Sequence, residues 1–504
     1  MKKTLGANEF GDFQTPMRLV QDVCDYLSRQ GVAPAAVVEP TCGVGNFVLT
    51  AFDRWPLATH LGVEINTDHI AALRSALGLR RVRVEHESFF HFDWRATFQE
   101  LRSPVLVLGN PPWVTNAQLG TLGSSNLPQK TNFQGHVGLD ALTGKSNFDI
   151  SEWMLIKLLE SLAGRRSWLA MLCKTSVARK ALIHAWKTEI GIEWAEMRAI
   201  DAKAHFGAAV DACLLVCSLK PDGRSKDCGV YEDFVTKKTS SVIGWCDKQL
   251  VADVPLYQKW KHLIGESPYQ WRSGIKHDCS KVMELRKDAA GYRNGLGELV
   301  ELEADYMYPM LKSSELANDR VDNPVRWMLV TQRSVGEETR QIRINAPKTW
   351  AYLHRNITAL ENRGSSIYKG RPSFSIFGVG DYTFSPWKVG ISGFYKRLKF
   401  VVVGNSNGRP TVLDDTGYFL PCQSEREARS IASMLNTKVA HEFFSAFTFW
   451  DAKRPITVDL LRKLNLTALA RELGLSHELA EYVGKRTAVQ PNLFDSRGSD
   501  MFAS

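Results

Sequence analysis

An α/β fold built on a parallel sheet is expected for residues 1–225, with a mixed α+β region after it. Three observations lead there. Apolar runs alternate with helical patterns through the first 220 residues, as they do in βαβ units. The expected strand ends, Glu39, Glu64, Ser88 and Asn110, fall 25, 24 and 22 residues apart. From about 240 to 460 the alternation is lost, and short strand-like runs mix with many Gly, Pro and Trp.

The elements follow in order. "AAVVEP" (35–40) reads as a buried strand, and "CGVGNFVLTAFDRW" as a Gly-rich turn opening a helix. "HLGVEI" is the next strand and "TDHIAALRSALG" the next helix. "VRVEHESFF" is a third strand, followed by helical "WRATFQELR" and the strand "VLVLG". "FDISEWMLIKLLESL" is a long amphipathic helix, and "SWLAMLC" and "ACLLVCSL" are further strands. Each strand is a short apolar run bounded by turn residues. Between 220 and 241 the chain turns polar and charged, which places a boundary there. The expected domains are therefore 1–225, 240–460, and a C-terminal segment 461–504. That segment starts helical and ends in a tail expected to be mobile.

Composition narrows the class. A chain of 504 residues suits two or three domains. With 44% hydrophobic and 23% charged residues it is an ordinary globular protein. It has no apolar run of about 18 residues, so no transmembrane helix and no membrane partner are expected. The start "MKKTLGANEFGDF" lacks the apolar core of a secretory signal. The nine cysteines are scattered without a Cys-x-x-Cys pair. A disulfide framework and a metal site are thus not expected, and a reducing cytoplasm is the expected location.

In an open α/β sheet the carboxyl ends of the strands line one edge, where ligands bind. The four strand ends should therefore share one cleft. After the first, Gly43 and Gly45 allow a tight turn and close backbone approach to a ligand. After the second, Glu64 stands 21 residues beyond Gly43, where a carboxylate can accept from ribose hydroxyls. Pyridine and flavin dinucleotides fit these two features as well as other nucleoside cofactors do. The fourth strand end discriminates. In "PVLVLGNPPWV" an amide, two prolines and an indole follow Gly109. Prolines stiffen the turn and donate no N–H. The Asn110 side chain and the Pro111 carbonyl offer acceptors suited to an exocyclic amino group, and Trp113 offers a flat face for a base.

The set resembles the amino-methylating DNA methyltransferases, especially gamma-type adenine-specific enzymes of restriction–modification systems. Specific motifs cover roughly residues 9 to 220, and the likeness is looser beyond. It implies a Rossmann-like S-adenosylmethionine-dependent methyltransferase domain followed by a target-recognition domain. In "FGDFQTPMRLVQDVCDYL", Gln14, Thr15 and Pro16 match the segment at the methionine end of S-adenosylmethionine. In "EPTCGVGNF", Glu39, Pro40, Cys42, Gly43 and Gly45 match the main cofactor loop. The resemblance gives Glu64 the ribose and Ile65 the adenine face. In "ESFF" it gives Ser88 and Phe89 the adenine amino group, where relatives commonly carry Asp before Phe. Asn110, Pro111, Pro112 and Trp113 form the catalytic motif, with Trp113 also stacking on the target base. Phe206, in "AHFGAAVDACLLVC", is the second stacking aromatic. The implied activity is methylation of the adenine N6 amino group in double-stranded DNA after base flipping. Asn110 favours adenine, whereas Trp in the last position is commoner in cytosine-N4 enzymes. Cytosine-N4 is therefore the alternative, and a protein or RNA acceptor a further one.

The net charge of +9 suits a polyanionic partner. Seven basic residues, Arg363, Lys369, Arg371, Lys388, Lys396, Arg397 and Lys399, lie among eight aromatics and one acid between 363 and 399. Such a mixture suits phosphate contacts with base or sugar packing, so these seven are the expected DNA-binding residues. No Asp…Glu-x-Lys nuclease signature is evident, so a separate restriction endonuclease is the expected partner. Gln490-Pro491-Asn492-Leu493-Phe494 resembles the short peptides with which bacterial DNA enzymes dock onto the sliding clamp.

Overall fold

Five strands expected from sequence form one half of a ten-stranded sheet. The computed structural model describes residues 14–114 and 149–489. The chain divides into two units, Met1–Val254 and Pro255–Ser504. In the first, β1 (Ala36–Glu39), β2 (Thr59–Glu64), β3 (Val82–His86), β4 (Val105–Gly109) and β5 (Ser167–Lys174) are joined by parallel pairing. β6 (Ile192–Ile200), β7 (Ala212–Leu219), β8 (Asp227–Tyr231), β9 (Ser241–Cys246) and β10 (Gln249–Val251) extend the sheet. The full order is β10-β9-β8-β6-β7-β5-β4-β1-β2-β3, with β7 antiparallel to both neighbours. This is the expected α/β, Rossmann-like arrangement.

Burial explains the centre. β1 and β4 are buried at every position, as apolar strands covered on both faces must be. The helix α1 (Met17–Arg29) precedes β1, and the crossover helices are α2 (Asn46–Arg54), α3 (Thr67–Leu77) and α4 (Trp94–Glu100). The helix α5 (Ile150–Leu162) precedes β5, and α6 (Thr175–Lys187) and α7 (Ala202–Phe206) follow it. Leu19, Val23, Leu27, Phe47, Leu106, Leu108 and Leu214 meet in one core between helices and sheet.

Strand order reverses between β1 and β4. That switch point leaves a crevice at the carboxyl ends of the two strands. Their register sets Val38 opposite Val107, so the loops after Glu39 and Gly109 leave side by side. Gly109 matters here: a Cβ added to it would stand 3.4 Å from Glu39 Cγ, and its φ is +153°.

The second unit is mixed α+β. A four-stranded sheet has the order β11 (Arg272–Ser273), β20 (Gly417–Cys422), β17 (Trp387–Ser392) and β18 (Val401–Val403), and a six-stranded sheet the order β14 (Leu299–Val300), β13 (Gly291–Asn294), β12 (Glu284–Asp288), β16 (Arg326–Leu329), β15 (Met307–Leu311) and β19 (Val412–Leu413). Helices Glu425–Leu435, Lys438–Ser445, Val458–Arg462 and Leu466–Glu472 pack Ile431, Phe443, Leu461 and Leu469 against Ile391 and Leu420 of the smaller sheet.

Two boundaries differ from expectation. The polar stretch 220–241 does not end the first unit, because β8 to β10 pair onto the edge of its sheet. These strands are half-buried, so their sequences carry charge and mimic a linker. Residues 461–489 are likewise no separate segment, since Leu464, Leu466, Leu469 and Leu479 are core residues of the second unit.

Candidate active site

The four strand ends open onto one cleft. Its first wall is the loop after β1. Gly43 and Gly45 have φ of +51° and +91°, the left-handed region in which glycine carries no Cβ penalty. A Cβ on Gly45 would stand 2.3 Å from Leu73 Cδ1, and one on Gly43 would stand 3.0 Å from the Gln14 amide. The cradle therefore requires both glycines. Gly45 also caps α2, whose first residue Asn46 donates from Nδ2 to the Thr15 carbonyl at 2.9 Å. That bond holds the segment before α1 over the loop, with Gln14 and Thr15 lining the cleft. Pro16 caps α1 and does not reach the lining.

Glu39 is 3% exposed and accepts from the Val48 N–H of α2 at 2.8 Å. Burial raises its carboxyl well above the usual carboxylate range; Val48 opposes the shift and the Glu64 charge adds to it. Pro40 and Cys42 line the cleft beside it. Burial also pushes the Cys42 thiol far up, so it is an inert wall.

The second wall comes from β2. Glu64 Oε2 accepts from Gly43 N at 2.7 Å, and Oε1 from Ile65 N at 3.0 Å and Asn66 N at 2.8 Å. The carboxylate thus ties the first loop to the second strand end while still facing the cleft. Ile65 lies beside it, 36% exposed.

The third wall corrects the sequence reading. β3 ends at His86, paired with Glu64, and not at Ser88. Ser88 is buried, and its hydroxyl accepts from Phe90 N at 3.2 Å. It is engaged in its own turn and does not line the cleft. Glu87, one residue earlier, does, together with Phe89 and Phe90. Asn66, His69, Ile150 and Met154 also line the cleft and escaped the sequence reading. An acid next to the aromatic pair was the available signal for Glu87.

Asn110, Pro111 and Pro112 supply the fourth wall. Asn110 Nδ2 donates to Thr15 Oγ1 at 3.2 Å, which orients the amide. Trp113 does not present a face here. It is 7% exposed, donates from Nε1 to the Leu172 carbonyl at 3.3 Å, and belongs to the core under the sheet. Phe206 meets it edge-on at 5.1 Å and 70°. The two expected stacking aromatics are brought together, but against each other, because both are apolar and the core lies directly behind the turn. Beside them, Lys174 at the end of β5 donates to the Trp113 carbonyl at 3.2 Å and pairs with Asp149 at 2.5 Å. Ile150 N donates to the Val114 carbonyl at 3.0 Å. Sequence reasoning missed this bracket, since Lys174 and Asp149 are 25 residues apart.

Charge decides what the cleft can hold. Glu64 and Glu87 line it beside Glu39, whose carboxyl burial holds toward its neutral form, and among the described residues no Lys or Arg does. Such a site suits a cationic ligand with a nucleoside. It opposes the pyrophosphate of a dinucleotide, which needs donors or positive charge. Among the described residues, no group of three or more His, Cys, Asp or Glu is placed to hold a metal ion.

The expected DNA-binding residues of the second unit divide. Lys388 is 1% exposed, in β17 (Trp387–Ser392), and donates to the Ser385 carbonyl at 2.7 Å. Burial pulls its ammonium down to about 7. It cannot meet a phosphate, because the alternation of the strand points it inward. Arg363 stacks 3.5 Å over the Tyr368 ring and donates to the carbonyls of Leu360, His277 and Ser375. It pins a loop. Arg397 donates to the Ala317 carbonyl, and Lys399 pairs with Asp319 at 3.0 Å. Lys369, Arg371 and Lys396 are exposed. The clamp-like peptide Gln490–Phe494 lies outside the described residues. No helix among the described residues is long and apolar enough to cross a membrane.

No family model matches the chain. The Type II methyltransferase M.NspV of Nostoc sp. is 42% identical over 468 residues, covering 92% of this chain and 97% of that protein. The Type II methyltransferase M.XamI of Xanthomonas campestris pv. amaranthicola is 30% identical over 115 residues, 22% of this chain and 21% of that protein. Among solved structures, the Type IIL restriction-modification enzyme MmeI in complex with DNA aligns over 94% of this chain and 76% of its own. Its identity is 12% and its TM-score 0.46.

Proposed function

This chain belongs to the Type II methyltransferases of restriction–modification systems, and from that premise we propose that it methylates the N6 amino group of adenine in duplex DNA, with S-adenosylmethionine as methyl donor. One observation carries the reading: a cleft lined by Glu64 and Glu87, and by no Lys or Arg among the described residues, shares its fourth wall with Asn110-Pro111-Pro112.

The residues fit that cofactor. Gly43 and Gly45 let the loop pack against Gln14 and Leu73 more closely than a Cβ would allow. Glu64 would take a ribose hydroxyl on Oε2, which accepts only from Gly43 N and keeps a further lone pair. Ile65 and Phe89 would flank the adenine, and Glu87 would accept from its amino group. Glu39 would face the cationic end. When bound, the cofactor supplies a methyl group activated by a positively charged sulfur.

The chain's own part is to prepare the nucleophile. An adenine amino group is weak because its lone pair is delocalised into the ring. Thr15 holds Nδ2 of Asn110, which assigns the acceptor role to Oδ1. With the Pro111 carbonyl it would accept both amino hydrogens and draw the nitrogen toward a tetrahedral shape. Most of the acceleration then comes from alignment in a preorganised polar site. A target base inside a duplex is out of reach, so it must be flipped out. Cleavage of unmodified DNA would fall to a separate endonuclease.

The test is mass spectrometry of nucleosides from duplex DNA treated with the protein and S-adenosylmethionine. N6-methyladenine is expected. N4-methylcytosine would overturn the base assignment, and unmodified DNA the whole reading. Asn110→Ala should lower turnover by about 10²–10³-fold, as loss of one preorganised polar group does, with cofactor affinity unchanged. A mutant as active as the wild type would end the role given to the amide.

A further inference from the structure

The six-stranded sheet of the second unit carries a row of three arginines. β12 (Glu284–Asp288) lies between β13 (Gly291–Asn294) and β16 (Arg326–Leu329). The register sets Arg286 directly opposite Arg293 on one side and Arg326 on the other. Directly paired residues point to the same face of a sheet. All three accordingly line one cleft, which Lys281 and Glu284 also border.

Like charges directly opposite one another destabilise a sheet. The outer two arginines are compensated. Arg293 pairs with Asp288 at 2.8 Å, and Arg326 with Glu315 at 3.2 Å. Glu284 is itself taken by Lys312 at 2.6 Å and His277 at 3.4 Å. Arg286, in the middle, is exposed, and its side chain makes no ion pair or hydrogen bond among the described residues. Folding alone gives no reason to put a third guanidinium there. An anion bound across the row would.

We propose that the Arg293–Arg286–Arg326 row binds the phosphodiester backbone of DNA, with Arg286 making the central contact. The inference rests on the reading of the chain as a DNA methyltransferase and adds a phosphate contact to it. The 363–399 segment supplied the expected residues, yet Lys388 is buried and Arg363 is spent on carbonyls. Planar guanidiniums suit phosphate oxygens because their N–H groups form a fork.

The experiment measures binding of a labelled mixed-sequence duplex to the full chain over a series of salt concentrations, beside thermal melting. Each phosphate contact adds about 0.9 to the slope of log affinity against log salt. Arg286→Ala should weaken binding several-fold and lower that slope by about one contact, ~0.9. Its melting temperature should hold or rise, because the central repulsion is gone. Arg286→Lys should keep most of the slope. An unchanged slope in Arg286→Ala, with the wild type binding well, overturns this inference alone. A loss of binding matched by a fall in melting temperature overturns it too, since the side chain would then be structural. A wild type that binds no duplex overturns both this inference and the reading beneath it.

Discussion

Glu39 shows how the site trades stability for binding. Its carboxyl is buried beside a second acid, so it holds its proton far above the usual range. A group whose pKa is higher folded than unfolded favours folding only while protonated. The sign follows: this contribution is complete below the ordinary carboxylate pKa and is lost as pH rises through the raised one. Glu39→Gln keeps an acceptor for Val48 N and cannot ionise. It should flatten the decline of melting temperature toward alkaline pH, while weakening cofactor binding in calorimetric titration. A variant that melts lower at every pH would contradict the account. Lys174 acts at the same scale by position. It joins the carbonyl of Trp113 to Asp149 and so fixes the end of the catalytic turn. Removing the lysine alone strands a carboxylate that is only 10% exposed, a cost that masks any effect on rate. The double variant Lys174→Met/Asp149→Asn avoids that cost. It should lower kcat by about 10–100-fold through misalignment, with the KM for S-adenosylmethionine unchanged. Equal losses in both parameters at a lowered melting temperature would reduce the pair to a structural tie.

At the scale of elements, the start of α2 is the tightest point of the cofactor cradle. Gly45 caps the helix with a left-handed backbone and touches Leu73 of α3. Gly45→Ala adds a Cβ where the space is already filled. Overpacking and the disfavoured backbone together should cost about 2–4 kcal/mol, read as a lower melting temperature, and should abolish cofactor binding. Gly31→Ala is a control for backbone strain alone, since φ there is +78° with open space around it. If the two variants lose the same stability, Leu73 is not what closes the site. Legibility in the sequence followed burial. β1, β2 and β4 are covered on both faces, so their apolar runs stand out from polar flanks. β3 is an edge strand of mixed burial, and its end was read two residues late, which put Ser88 where Glu87 belongs. β8 and β9 carry charge on an open face, so in sequence they look like a linker. In the site itself, Asn110 and the glycines were visible because their chemistry is local. The burial of Trp113 and Lys388 was not, because an indole or an ammonium reads alike on either face of an element until tertiary packing chooses one.

On the scale of the whole molecule, the described cores respect the division of the chain. The core joining Leu19, Phe47, Leu106 and Leu214 draws its residues from the first unit alone. Those built around Ile431 and Phe443, and around Met328 and Leu353, draw theirs from the second. Every residue lining the cofactor cleft precedes Val254, whereas the arginine row follows it. Binding of the methyl donor and grip on DNA should therefore separate. A unit of this length buries enough surface to stand as a domain. Residues 1–254 expressed alone should melt cooperatively and bind S-adenosylmethionine with near wild-type affinity in calorimetric titration. The same fragment should transfer almost no methyl to duplex DNA, because the phosphate contacts and base reading have been removed while Asn110 and its cleft remain. Methylation at the full-chain rate would show that the second unit is not needed to hold the DNA. A fragment that neither melts cooperatively nor takes up the cofactor would show that the first core depends on residues beyond Val254.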